Sequence, residues 1–260
     1  MRWPSTRRPR DSRGRPALSR PDIDAVVQEW TEAERFAFYS RWVARYLPIW
    51  HAAYARYAEQ TGVDAPKREL FTQRMDELIE RGAAVRAGER VVKARLNETQ
   101  SAISALTAHA PNAFGVAPWT TRIRTAALTA RHFLQVCSDG AKPSLVTAGV
   151  YTWAEIESGF PGDSAAMLMM LTPKERASAG PGVADAHHLV YARPCQEHGL
   201  AEEGRAVYDA VAAIMSDPGR DPGPFPLDDG FWVTSPSPAR AQQAQAYEKF
   251  HGRQAPPWMR

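Results

Sequence analysis

At 260 residues and 44% apolar side chains, the chain can close a sizeable hydrophobic core. Its net charge of +3 is unevenly spread: residues 1–21 hold seven arginines against the single Asp11, while the remainder holds 25 basic and 28 acidic side chains. A mildly acidic body excludes a broadly basic nucleic-acid-binding surface, two isolated cysteines exclude a disulfide framework or a thiolate zinc ribbon, and no stretch approaches the roughly 18 apolar residues of a membrane-spanning helix.

Residues 1–21 mix Arg, Pro and Ser with almost nothing apolar, a composition that cannot offset the entropy of ordering, so this arm is expected to be disordered. Its functional reading is a weak electrostatic contact with nucleic acid or another anionic surface; its plain reading is an unstructured extension. With no apolar leader-like segment in the first twenty residues, a cytoplasmic protein is expected.

Thr31 and Glu34 form a reciprocal capping box, and behind them Phe36, Tyr39, Trp42, Val43, Tyr46, Leu47, Trp50, Tyr54 and Tyr57 recur at steps of three and four, one face of a helix. Pro48 predicts a kink there or a break with a second helix starting at it, and Thr61-Gly62 a stop. A third helix is predicted from Asp64 to Gly82 and a fourth from about Glu89 to Pro111. After the loop 111–118, residues 119–138 spell a closely packed helix, and 143–158, apolar nearly throughout, the most buried one. Asp163 caps a short run from Ala165 to Leu171, and Thr172-Pro173-Lys174-Glu175 repeats the capping signature. Residues 179–186 read as a Gly/Pro/Ala loop, 200–216 as the last helix of the body, and the prolines after Asp217 as an extended or disordered segment. A late helix is expected over 238–251, between a Ser237 cap and a Gly252 stop. No alternating strand pattern of useful length appears. The fold expected is an all-α multi-helix bundle over 22–216, flanked by the arm and by a proline-rich tail over 217–260 with one short helix.

Chemistry is sparse. Phosphate-binding glycine loops and the GxSxG nucleophile elbow are absent. The di-iron arrangement of helical bundles needs a Glu-x-x-His pair on each of two helices, and the step Asp185-x-x-His188 falls in the predicted loop. His187, His188, Cys195 and His198 are the best local metal candidates, since imidazole and thiolate suit zinc, although their spacing matches no common zinc pattern. Glu155 and Glu157, with Asp163 beyond, are the candidate catalytic acids: carboxylates against an apolar wall can have raised pKa values, yet acids two apart lie on different faces of a helix. Arg122, Arg124, Arg131 and His132 could form an anion site or a solvated, acid-pairing face. No cofactor is expected.

The chain resembles the uncharacterised bacterial YjaG-like helical family over roughly residues 26–160. The resemblance lies in Glu34-Arg35-Phe36-Ala37-Phe38, Arg45-Tyr46-Leu47-Pro48, Phe114-Gly115-Val116-Ala117-Pro118, and Ser144-Leu145-Val146-Thr147 leading to Glu155 or Glu157. It implies an all-α fold and supplies no established reaction. Where that family tends to place an acid soon after the Gly-x-x-Pro loop, this chain has Thr120 and Thr121. The function expected first is a helical binding protein, of the immunity or adaptor kind, working through protein–protein contacts, with Phe231-Trp232 and Trp258 as adhesive tail segments. The alternative is an enzyme or small-molecule binder with an inter-helix pocket near Trp119, Trp153 and Glu155.

Overall fold

The computed structural model describes residues 23–62, 64–87, 120–162, 164–228 and 238–255. Within them the chain is all-α, with helices α1 (Ile23–Glu29), α2 (Glu32–Arg45), α3 (Leu47–Thr61), α4 (Ala65–Arg86), α5 (Thr120–Asp139), α6 (Pro143–Ser158), α7 (Ser164–Met169), α8 (Pro173–Ala179), α9 (Val183–His198), α10 (Ala201–Ser216) and α11 (Pro238–His251). No strand occurs among the described residues, nor any helix there long and apolar enough to cross a membrane. The basic arm, the predicted helix over 89–111, Trp119, Asp163, Phe231-Trp232, Ser237 and Trp258 lie outside the described residues.

Local chemistry sets the boundaries. The Glu34 amide donates to the Thr31 hydroxyl (3.2 Å) while the Thr31 amide donates to the Glu34 carboxylate (2.7 Å), so two donors orphaned at the start of α2 are satisfied reciprocally. Thr172 and Glu175 do the same for α8. Pro48 produces a break: α2 ends at Arg45, Tyr46 caps it, and α3 begins at Leu47 with the proline in its first turn, where a missing N–H costs nothing. Gly159 closes α6 in the left-handed conformation (φ 69°), which a side chain would resist.

α6 is the axis of the fold. It packs most heavily against α10 and α5, and also meets α1, α9 and α2. Such a helix must be apolar on nearly every side, and residues from Val146 to Ile156 are buried almost without interruption. The aromatic stripe of α2 faces it: Phe38, Tyr39 and Trp42 surround Trp153, with Trp42 stacked on it at 5.5 Å. Thr147 reaches out of this core to donate to Asp24 (2.8 Å), which ties α1 to the axis. A second, smaller core of Met167, Met170, Leu171, Val190 and Ala244 joins α7, α9 and α11.

The structure corrects two expectations and adds one helix. Gly82 does not end α4, which runs on to Arg86; there it gives room for α5, since a Cβ would lie 2.6 Å from Phe133 Cε1 and 2.7 Å from Cys137 Sγ. α1 is a helix that the sequence reading did not assign. Residues 183–186 belong to α9 rather than a loop: Gly182 is the N-cap and donates to the Asp185 carboxylate (3.1 Å), so an acid at the third helical position starts the helix. Asp185 and His188 therefore stand on a helix, which removes the loop objection to that pair; Glu248 and His251 make the same step on α11.

Candidate functional site

The two candidate acids share a helix but not a face. Two residues turn an α-helix by about 200°, so Glu155 points toward α9 and Glu157 toward α2. Glu155 is buried in a wall of rings and accepts a hydrogen bond from the Tyr191 hydroxyl (2.5 Å). Burial, and next the Glu155 carboxylate, push the Tyr191 hydroxyl well above the ordinary tyrosine range, so it stays a proton donor.

Glu157 sits in the last turn of α6, where a negative charge opposes the helix dipole. Its environment compensates fully. Arg45 meets it side-on, Nε to Oε1 at 2.7 Å and Nη2 to Oε2 at 2.9 Å, and the Tyr46 hydroxyl donates to Oε1 at 2.8 Å. The hydrogen bond to Glu157 is the main cause that raises the Arg45 pKa further, while burial, then Glu157, raise that of Tyr46.

Arg45 continues outward from this pair. Its Nη1 donates to the carbonyls of Pro222 (2.8 Å), Gly223 (3.1 Å) and Pro224 (3.4 Å), and its own carbonyl accepts from the Phe225 amide (2.8 Å). Arg41 donates to the Pro218 carbonyl (2.5 Å). The Phe225 ring lies 5.8 Å from that of Tyr46 and 5.3 Å from the Arg45 guanidinium. The non-helical segment 217–228 is thus a strap across the end of α2, anchored from a carboxylate through one arginine to three consecutive carbonyls.

The four candidate metal ligands stay apart. All are on α9, but His187 and His188 differ by about 100° around it and Cys195 lies about 10 Å further along. His187 is buried and stacked on Tyr151 at 4.5 Å, His188 shares a hydrogen bond with the Tyr208 hydroxyl, Cys195 sits in a small core with Leu200 and Ala239, and His198 is exposed. Burial pushes the Cys195 thiol up to about 11, so it rests as the neutral thiol at neutral pH. Among the described residues no group of three or more such side chains converges. Arg122, Arg124 and Arg131 lie on α5 outside the described side chains, whereas His132 is half-buried. Trp153 is fully enclosed by Phe38, Tyr39 and Trp42. An open groove of about 560 Å³ along α4, lined among others by Glu69, Gln73, Asp76 and Glu80, contains none of the candidate residues.

His187 has a measurable consequence. Burial first, and the charge of His132 second, lower its pKa to about 3 from 6.5, and its Nδ1 is buried without a partner. The unfolded chain takes up a proton below pH 6.5 that the folded chain refuses until near pH 3. The stability gained by keeping the ring neutral is therefore complete above pH 6.5 and is lost as pH falls. Wild type should lose about 2 kcal/mol from this source between pH 7.5 and 5. Urea titrations at the two pH values should show that loss in wild type and its absence in His187→Phe, which keeps a ring against Tyr151; equal losses in both would refute it.

The strap could not be read from sequence as part of a site. Its prolines were visible, but Arg45 lies 177 residues before Pro222, and local periodicity carries no information at that range.

No family model, curated protein or solved structure matches this chain.

Proposed function

We propose that the chain is a non-catalytic helical binding protein, of the immunity or adaptor kind, that engages another protein through its surface. The observation that carries this reading is the internal use of the candidate acids. Glu157 is occupied by the Nε and Nη2 edge of Arg45 and by Tyr46, and Glu155 by Tyr191, so each serves the packing of one helix against another. The alternative of a pocket near Trp119, Trp153 and Glu155 has less support, because rings from α2 and α9 already fill the space around Trp153 and Glu155. A weak nucleic-acid contact through the arginine arm stays a separate proposal, tested by deleting residues 1–21.

The binding reading is tested by affinity capture with the full tagged chain from its native host, followed by gel filtration. The expected result is one protein co-eluting in near-stoichiometric amount, captured equally by Glu155→Gln. Recovery of no such protein, together with a small molecule whose turnover Glu155→Gln abolishes, would overturn it.

A further inference from the structure

We propose that the surface formed by Arg41, Arg45 and Tyr46, with Glu157 beneath it, is a recognition site for proline-rich turn segments of the type Pro-Gly-Pro-aromatic, occupied in cis by the chain's own strap. The inference deepens the binding reading above and rests on it, naming the chemistry of the partner segment.

The match between surface and strap is one of donors and acceptors. A proline-rich segment is full of carbonyls and poor in N–H groups, because proline has none. The surface is the reverse: Arg45 offers Nη1 to three consecutive carbonyls and Arg41 offers Nη2 to a fourth, while a single acceptor, the Arg45 carbonyl, takes the one amide presented, that of Phe225. Glu157 holds the guanidinium in place from behind, so its fork is already oriented before any segment arrives. The aromatic side chain of the segment is laid on Tyr46 and on the guanidinium.

The shape of the segment is also fixed. Asp221 accepts from the Gly223 amide (2.9 Å), and Gly223 takes φ +65°, a conformation that favours glycine. Any chain that supplies this turn and the following aromatic ring presents the same carbonyls. Because the strap is tethered beside the site, it competes at an effective concentration on the order of millimolar, and a segment in trans must displace it. The strap thereby keeps the site closed to weak ligands.

The test uses a fluorescent peptide with the sequence of residues 217–228 and the full chain carrying Phe225→Ala, which weakens the strap. The peptide is expected to bind this variant at least ten-fold more tightly than wild type. Adding Arg45→Ala, or replacing the peptide's phenylalanine by alanine, should remove that gain. A Phe225→Ala chain that retains the wild-type helical circular dichroism and binds the peptide no more tightly than wild type would overturn the proposal. Unmodified wild type gives an independent reading: millimolar peptide should shift the Phe225 amide resonance as the strap is displaced, and an unchanged resonance counts against it. If the peptide fails while the intact chain still captures a protein partner, this site falls and the binding reading stands.

Discussion

Trp153→Ala is expected to remove about 3–5 kcal/mol of stability, the largest loss from any single truncation in this fold. The ring is fully buried in the C-terminal half of the axial helix, stacked on Trp42 (5.5 Å, 13°) and met edge-on by Phe38 (5.6 Å) and Tyr39 (4.9 Å). Deleting it withdraws a large apolar surface from three partners on α2, and that helix cannot move in without disturbing its contacts with α3 and α5. Against a total stability of about 5–15 kcal/mol, a substantial part of the fold's margin disappears. For a chain of this size the melting temperature should fall by about 10 °C or more. The indole N–H has no acceptor, and burying it carries a cost of its own. Trp153→Phe sheds that cost while keeping most of the packing, so it should lose well under half as much. Chemical denaturation of the two variants checks both figures, and a loss under about 1 kcal/mol for alanine would mean that the ring is not packed as described.

The second large effect belongs to the Arg45–Glu157 pair. Arg45 is 12% exposed and Glu157 21%, so removing either partner leaves the other charged and largely out of water. A loss of about 2–4 kcal/mol is expected for each single alanine variant, short of the cost at a fully buried pair. Arg45→Ala should be the worse of the two, because it also leaves the carbonyls of Pro222, Gly223 and Pro224 without their donor. The double variant should lose clearly less than the sum, with a coupling of about 1–2 kcal/mol in a double-mutant cycle. Strict additivity would show that the two side chains act independently.

The features legible in sequence are those whose causes are local. Thr31 with Glu34 and Thr172 with Glu175 announce helix starts because each box closes within four residues. Pro48 announces a break for the same reason, and the nearly continuous apolar run of 143–158 announces the most buried helix. What stayed hidden depends on context. α9 interrupts its apolar pattern with His187, His188 and Pro194; the two histidines read as polar ligands, while in the fold His187 is a stacked core ring and His188 a partner of Tyr208. Asp185 could have signalled the start of that helix, but its cap, Gly182, closes the stretch Gly180-Pro181-Gly182, which looks like loop. Acids two residues apart could be assigned to different faces without knowing which helices those faces meet. Glu157 finds Arg45 from 112 residues away and Glu155 finds Tyr191 from 36 away, distances at which only the assembled core decides.

The central claim is that the proline-rich strap is held to the helical body by Arg45 and its carboxylate partner. Native-state hydrogen exchange at the Phe225 amide, which donates to the Arg45 carbonyl, tests it most directly. The fold predicts protection of about a hundred-fold or more over an unstructured peptide, falling by at least about ten-fold in Glu157→Ala. Exchange at the unstructured rate in wild type would contradict the account.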